Sequence, residues 1–362
     1  MTDGWSVARA LTDPGSVAPL DSDGWTHLLS AARALSLIGT LAEILAEAPI
    51  PPQVARVLAD VRHSNVTGQR QALWEAQCAR MALADYPGRV VLLKGTAFAA
   101  AQYSAALGRS IGDLDILVER SGIDQVEALL LKAGWEWVKP DPYDDAYYRQ
   151  WMHELPPLIH GTRDRMIDVH HTILPLTAKP RPDAAALIAD ARVLPSGLYV
   201  LSPADIICHA AAHLIADGDL SGGMRNLWDI DRLVRQFVAD EPGFSETLAE
   251  RAKLHGLLPA VGRALRLSER LFGTPIVFRR TPESRARTEQ SDSGLRRSPE
   301  NKKQVTASDA LFLRRITAVD GWGRKTRKLT RQAFYMRSHL LRMPPAMLAR
   351  HLWTKWRKGH RG

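Results

Sequence analysis

The chain has 362 residues, a formal net charge of +9, 45% hydrophobic and 24% charged residues. That balance excludes a disordered or collagen-like polymer, and the length allows a sizeable core and two or three structural units. No basic N-terminal segment leads into an apolar run, and charge or proline interrupts the apolar stretches well short of about 18 residues, so a cytoplasmic protein is expected.

In chain order, residues 1–88 read as a helical region. Leu28, Leu29, Ala32, Leu35, Leu37, Ile38, Leu41 and Ile44 recur at helical spacing between His27 and Leu45, until Pro49, Pro51 and Pro52 stop the run. A second run carries Val54, Val57, Leu58 and Val61, and a third helix is expected over Gln69 to Ala84, ending before Pro87 and Gly88. Cys78 falls in this third run and Cys208 far downstream. Two cysteines so separated do not make a disulfide framework or a paired zinc site, so both are expected as core thiols in a reducing compartment.

Residues 89–200 change character. Arg89 to Gly95 is a branched apolar run ending in glycine, a strand entering a tight turn, and Thr96 to Tyr103 follows as a helix. Gly112 to Val118 is a second strand that begins with two aspartates, and Ser121 to Ala133 is a helix. After a strand over Trp135 to Val138, the segments His153 to His160 and Arg165 to His171 are expected to pair across a turn at Gly161 to Asp164. Strands and helices followed by a hairpin make a small mixed sheet.

From Ser202-Pro203, a serine cap with proline in the first turn, the pattern is helical again across residues 201–280. Helices are expected from Pro203, over Asn226 to Val238, and as one stretch from Phe244 to Phe272. Residues 281–304, rich in Arg, Ser, Glu and Pro, read as an exposed linker. Residues 305–362 form a basic amphipathic extension. No acidic residue follows Asp320, and residues 321–362 hold 12 Lys or Arg; without them the rest of the chain carries −3.

The chemistry concentrates between Lys94 and His171. Side chains alternate along a strand, so Asp113 and Asp115 share one face and can share a divalent ion. On Arg165 to His171, Asp168 and His170 also share a face. If the two strands are neighbours, Asp113, Asp115 and Asp168 offer three hard oxygen ligands suited to Mg2+ or Mn2+. Without a cation, such a cluster repels itself and raises its own pKa values. Lys94, Gly95, Thr96 and Arg109 supply a phosphate-facing turn and cations, without the glycine spacing of a Walker loop. Asp168 can also accept the nucleophile's proton. His170 is a candidate auxiliary ligand, whereas His171 faces the other way and reads as structural.

The segments Leu92 to Ala97, Arg109 to Val118 and Ile167 to His171 resemble the bacterial "uncharacterised nucleotidyltransferase" family of the DNA polymerase beta-like nucleotidyltransferase superfamily. The resemblance extends loosely over residues 27 to 240. It implies an α+β fold, a nucleotidyltransferase-like mixed sheet core with N-terminal and C-terminal helical regions, and a catalytic set of Asp113, Asp115 and Asp168. It also implies that the helical half adds nucleotide or acceptor contacts, for which His213, Arg225, Asp229 and Asp231 are candidates. Lys94-Gly95-Thr96 stands where the superfamily has Gly-Ser, a departure that shifts the hydroxyl.

A plain reading accompanies each of these helical residues. His209 and His213 lack a His-Glu-x-x-His frame and read as a helix surface or cleft wall; Arg225, Asp229 and Arg232 can pair along one helix. The expected reaction transfers a nucleoside monophosphate from an NTP, ATP by default, to a hydroxyl or phosphate acceptor. Two rivals stay open: a noncatalytic nucleotide-binding regulator, and a nucleic-acid-binding module using the basic extension. The plain reading of that extension is a solvated basic face packed onto the domain; it can also meet an anionic membrane peripherally, with Trp353 and Trp356 at the interface.

Overall fold

The computed structural model describes residues 4–275 and 306–343, together with 348, 349 and 353. The expected linker over 281–304 and Trp356 lie outside the described residues. The helices α1 (Gly4–Thr12), α2 (Ser22–Ala34), α3 (Ile38–Ile44) and α4 (Pro52–Ala82) come first. The apolar run from His27 to Leu45 is split into α2 and α3, because Ser36 adopts a left-handed φ of 58° that ends the first helix.

The reverse correction applies to the next stretch, where the two expected runs are one helix of 31 residues. Its middle carries Asn65 and Gln69, amides that interrupt the apolar stripe and make it read as a break. Both are used. Asn65 Nδ2 donates to the Gly108 carbonyl at 3.4 Å, and Gln69 Nε2 donates to the carbonyls of Ala106 at 2.6 Å and Arg109 at 3.2 Å. The loop that delivers Arg109 is thereby held against α4.

Seven strands form one mixed sheet in the order β3-β4-β5-β2-β1-β7-β6. They are β1 (Val91–Leu92), β2 (Leu114–Leu117), β3 (Trp135–Trp137), β4 (Leu158–His160), β5 (Met166–His170), β6 (Arg192–Val193) and β7 (Tyr199–Val200). The pairs β2–β5 and β1–β7 are parallel, and the remaining pairs antiparallel. Helix α5 (Lys94–Ala100) joins β1 towards β2, and α6 (Ile123–Lys132) follows β2. The expected hairpin is present as β4 and β5. Helix α7 (Pro142–Trp151) and the two-residue strands β6 and β7 were not anticipated, since so short a strand shows no alternation to read.

Val91, Leu92, Ile116, Leu117 and Val169 are buried in the sheet. Burying a side chain of this kind stabilises by roughly 1.5–3 kcal/mol, which gives the acidic residues a rigid base. After α8 (Ala184–Ala189), the helical half comprises α9 (Pro203–Ala211), a π-helical turn over Ala212–Asp217, α10 (Gly223–Asp240), α11 (Phe244–Leu254) and α12 (Leu258–Phe272). Ser202 caps α9 as expected, accepting from the Asp205 amide at 3.4 Å. The single stretch expected from Phe244 to Phe272 is two helices, separated at Gly256, whose φ of 66° suits glycine.

Two further helices, Ala307–Ile316 and Lys328–Arg342, bury Phe312, Leu313, Ile316 and Phe334 in the same apolar cluster as Val7 of α1, Ile116 of β2 and Leu227 of α10. The described part of the basic extension therefore packs on the body. The architecture is α+β, with helical regions on either side of the sheet in sequence. Among the described residues, no helix is long and apolar enough to cross a membrane.

Candidate functional site

The parallel register of β2 and β5 sets Asp115 directly opposite Asp168. Asp113 lies one residue before β2 and is exposed, Asp115 is buried, and Asp168 is half-buried. One carboxylate oxygen from each lies within 4.8 Å of the others. Sequence reasoning required the two strands to be neighbours, and they are.

The three carboxylates are not equivalent. Asp115 Oδ1 accepts from Lys94 Nζ at 2.5 Å and lies 3.0 Å from His170 Nε2. Burial pushes the Asp115 carboxyl up, but the His170 hydrogen bond and the Lys94 charge outweigh it and hold it well below the usual carboxylate range. Burial would lower the Lys94 ammonium, and the Asp115 carboxylate turns its shift upward. Asp168 has no such support: its Oδ1 is buried without a hydrogen-bond partner among the described residues. Burial first, then the Asp115 and Glu154 charges, push its carboxyl up to about 7.

A buried acceptor without a partner is costly, and three oxygens with one such orphan suit a hard divalent cation. The donor set therefore fits a hard divalent cation, to which Asp113, Asp115 and Asp168 would each offer one oxygen. Beside it, Thr96, Gly112, Asp113, Leu114 and Glu75 line a space of about 10 Å3, room for roughly one water-sized guest.

Lys94 stands at the β1–α5 junction with a left-handed φ of 49°, an uncommon conformation for a non-glycine residue. Thr96 is buried behind it. Gly95 is the seat of Arg109: a Cβ there would meet the Arg109 Cζ and Nε at 3.3 Å. Arg109 thus reaches the turn, with its guanidinium 5.6 Å from the Phe98 ring centre and its Nε 3.3 Å from Asp229 Oδ2.

The helical candidates divide. Arg225 and Asp229 form a buried pair on α10. Arg225 Nε donates to Asp229 Oδ1 at 2.9 Å, and its other nitrogens reach Thr40 Oγ1 at 2.5 Å and the Ala105 carbonyl at 3.3 Å. They stand behind Arg109 as anchors. Asp231 is enclosed by Arg232, Arg235 and Thr274. Arg232 thus pairs with the adjacent Asp231, whereas Arg225 and Asp229 make the expected pair across one turn.

His213 is exposed on the π-helical turn, close enough to His153 and His209 for its charge to depress both. Burial is the larger cause, and both imidazoles lie well below the ordinary histidine value. His171 is likewise pushed down, to about 4, chiefly by burial.

Sequence reasoning missed His153 and Glu154, which it read only as the start of a strand. Glu154 forms a bridge to His170 ahead of β4, and its Oε2 lies 3.3 Å from His170 Nδ1. Burial lowers the His170 imidazole, but the Asp115 hydrogen bond and the Glu154 charge raise it overall. The signal was available in principle, since hairpin pairing sets the residues before β4 beside the end of β5.

The family described as "Uncharacterised nucleotidyltransferase" matches residues 21–273. That span contains the whole sheet and every carboxylate of the site. No curated protein matches the chain.

Proposed function

The chain belongs to the uncharacterised nucleotidyltransferase family, and we propose that it transfers a nucleoside monophosphate from an NTP, ATP by default, to a hydroxyl or phosphate acceptor, releasing pyrophosphate. The observation that carries this reading is the unpartnered Asp168 Oδ1 within a trio of carboxylates that converge within 4.8 Å. Bound there, Mg2+ or Mn2+ would supply positive charge for the triphosphate and the attacking oxygen.

The chain's own residues do the rest. In this reading Asp113, being exposed, is the carboxylate that an incoming nucleotide meets first. Lys94 and Arg109 offer phosphate-facing charge on either side of Gly95, and the buried Arg225–Asp229 pair holds Arg109 in position. In this reading Asp168, whose carboxyl is pushed upward, takes the proton of the acceptor.

The test is a screen of NTPs and acceptors with Mg2+ or Mn2+, read by pyrophosphate release and product mass. Release that disappears with Asp113→Asn supports the proposal, and binding of NTP without release by the intact protein refutes it. That second outcome is the signature of a noncatalytic nucleotide-binding regulator, a reading favoured by the ammonium of Lys94 already bound to Asp115.

For the basic extension we propose contact with a polyanion, either nucleic acid or an anionic membrane surface. Trp322, Leu329, Tyr335 and Trp353 are exposed among its cations. We place such contact in a cytoplasmic protein that associates with membranes peripherally.

A further inference from the structure

His170 looks in two directions. Its Nε2 meets Asp115 Oδ1 at 3.0 Å, while its Nδ1 faces away from the carboxylate trio towards Glu154 Oε2, 3.3 Å distant. That Nδ1 is buried and makes no hydrogen bond among the described residues, and the same holds for His153 Nδ1. The two rings lie 5.3 Å apart centre to centre, His153 turns its Nε2 to Glu154 Oε2 at 3.8 Å, and buried imidazole nitrogens without hydrogen bonds need a physical account. His153, Glu154 and His170 each present a donor atom, and the three lie within 4.8 Å of one another.

The backbone holds them rigidly. The His171 amide donates to the His153 carbonyl and the Leu155 amide to the Val169 carbonyl, both at 2.9 Å, so the segment before β4 is clamped along β5.

We propose that His153, Glu154 and His170 form a second cation site, distinct from the carboxylate trio, for a divalent transition metal of the zinc class. Two nitrogens and one carboxylate are the donor set of such an ion, whereas Mg2+ prefers oxygen alone. Asp115 completes the arrangement as a positioning residue. By accepting from His170 Nε2 it orients the ring and leaves Nδ1 as the ligand atom, as carboxylates commonly do behind metal-binding histidines. His170 then joins the two sites mechanically.

The full-length protein, stripped of metal, is loaded with Zn2+ in the presence of excess Mg2+ and gel-filtered, and the retained zinc is measured by elemental analysis. Co2+ loading, followed by visible absorption, reports the ligand set. About one zinc per chain is expected, with affinity lowered by about 100-fold or more in His153→Gln and the metal retained in Asp168→Asn. Glu154→Gln serves as the second variant should His153→Gln fail to fold by circular dichroism. Failure of the wild type to retain zinc overturns the proposal, as does wild-type affinity in the folded ligand variant or release of zinc only by Asp168→Asn. Turnover is not the readout, so either result leaves the transferase reading to its own test.

Discussion

Asp205 on α9 and Asp168 on β5 are both carboxylates drawn into the protein by apolar neighbours, and their surroundings are opposite. Asp205 is fully buried and receives Arg251 Nε at 2.8 Å and Nη2 at 2.6 Å, His255 Nε2 at 3.1 Å and Ser202 Oγ at 2.8 Å. Burial pushes its carboxyl up, but the His255 and Arg251 hydrogen bonds prevail and its pKa is lowered. Asp168 sits among other acids with one oxygen unpartnered. The difference is one of closure: Asp205 is surrounded by groups of its own chain, whereas Asp168 keeps an oxygen with no partner among the described residues.

Exchanging the two acids for amides breaks the comparison most directly. Asp168→Asn is expected to reduce pyrophosphate release by about 1,000-fold, worth roughly 4 kcal/mol of barrier, while leaving the melting temperature equal or higher, because it removes a repelled carboxylate. A large fall in melting temperature with turnover intact would show that Asp168 is structural.

Asp205→Asn is expected to do the reverse. Removing one member of a buried, hydrogen-bonded charge cluster costs about 3–5 kcal/mol, read from denaturant unfolding, with the specific activity of the remaining folded protein near normal. Unchanged stability would mean that the cluster contributes nothing net.

Acid sharpens the contrast for Asp205. Its folded pKa lies below the unfolded value of about 3.9, so its stabilisation is complete above that pH and is lost as the pH falls through the folded value. Unfolding measured between about pH 5 and pH 2 should therefore show a loss in the wild type that Asp205→Asn lacks; parallel curves would exclude this residue as the source.

The smallest expected effect is at Gly95. The Cβ of Gly95→Ala presses on Arg109 and Ile111 at 3.3 Å, so the guanidinium must shift. KM for the nucleotide should rise by about 10-fold, or roughly 1.4 kcal/mol, with kcat little altered. An unchanged KM would remove Arg109 from the nucleotide contacts.

Much of the fold could be read because its signals are local. The strands over 91–92 and 114–117 announced themselves by branched apolar runs, the strand over 166–170 by alternation after a turn-prone segment, and Ser202-Pro203 marked the start of α9. The length of α4 could not be read, because Asn65 and Gln69 face inward to serve a distant loop and so look like a break. The breaks at Ser36 and Gly256 were hidden for a related reason: the apolar spacing continues while the backbone turns left-handed.

The carboxylate trio lay within reach of sequence reasoning, since period-two alternation puts Asp113 with Asp115 and Asp168 with His170 on common faces. The seat of Arg109 on Gly95, the Arg225–Asp229 anchor behind it and the pairing of His153 and Glu154 with His170 did not.

The sequence by itself determined the kinds of donor available, the strands that carry them and the family to which the chain belongs. Only the tertiary structure decided which carboxylate is neutralised by Lys94 and His170 and which is left with an unpartnered oxygen. The physical reason is that alternation along a strand is a property of neighbouring residues, whereas burial and charge pairing depend on segments many positions apart, brought together by the parallel register of β2 and β5.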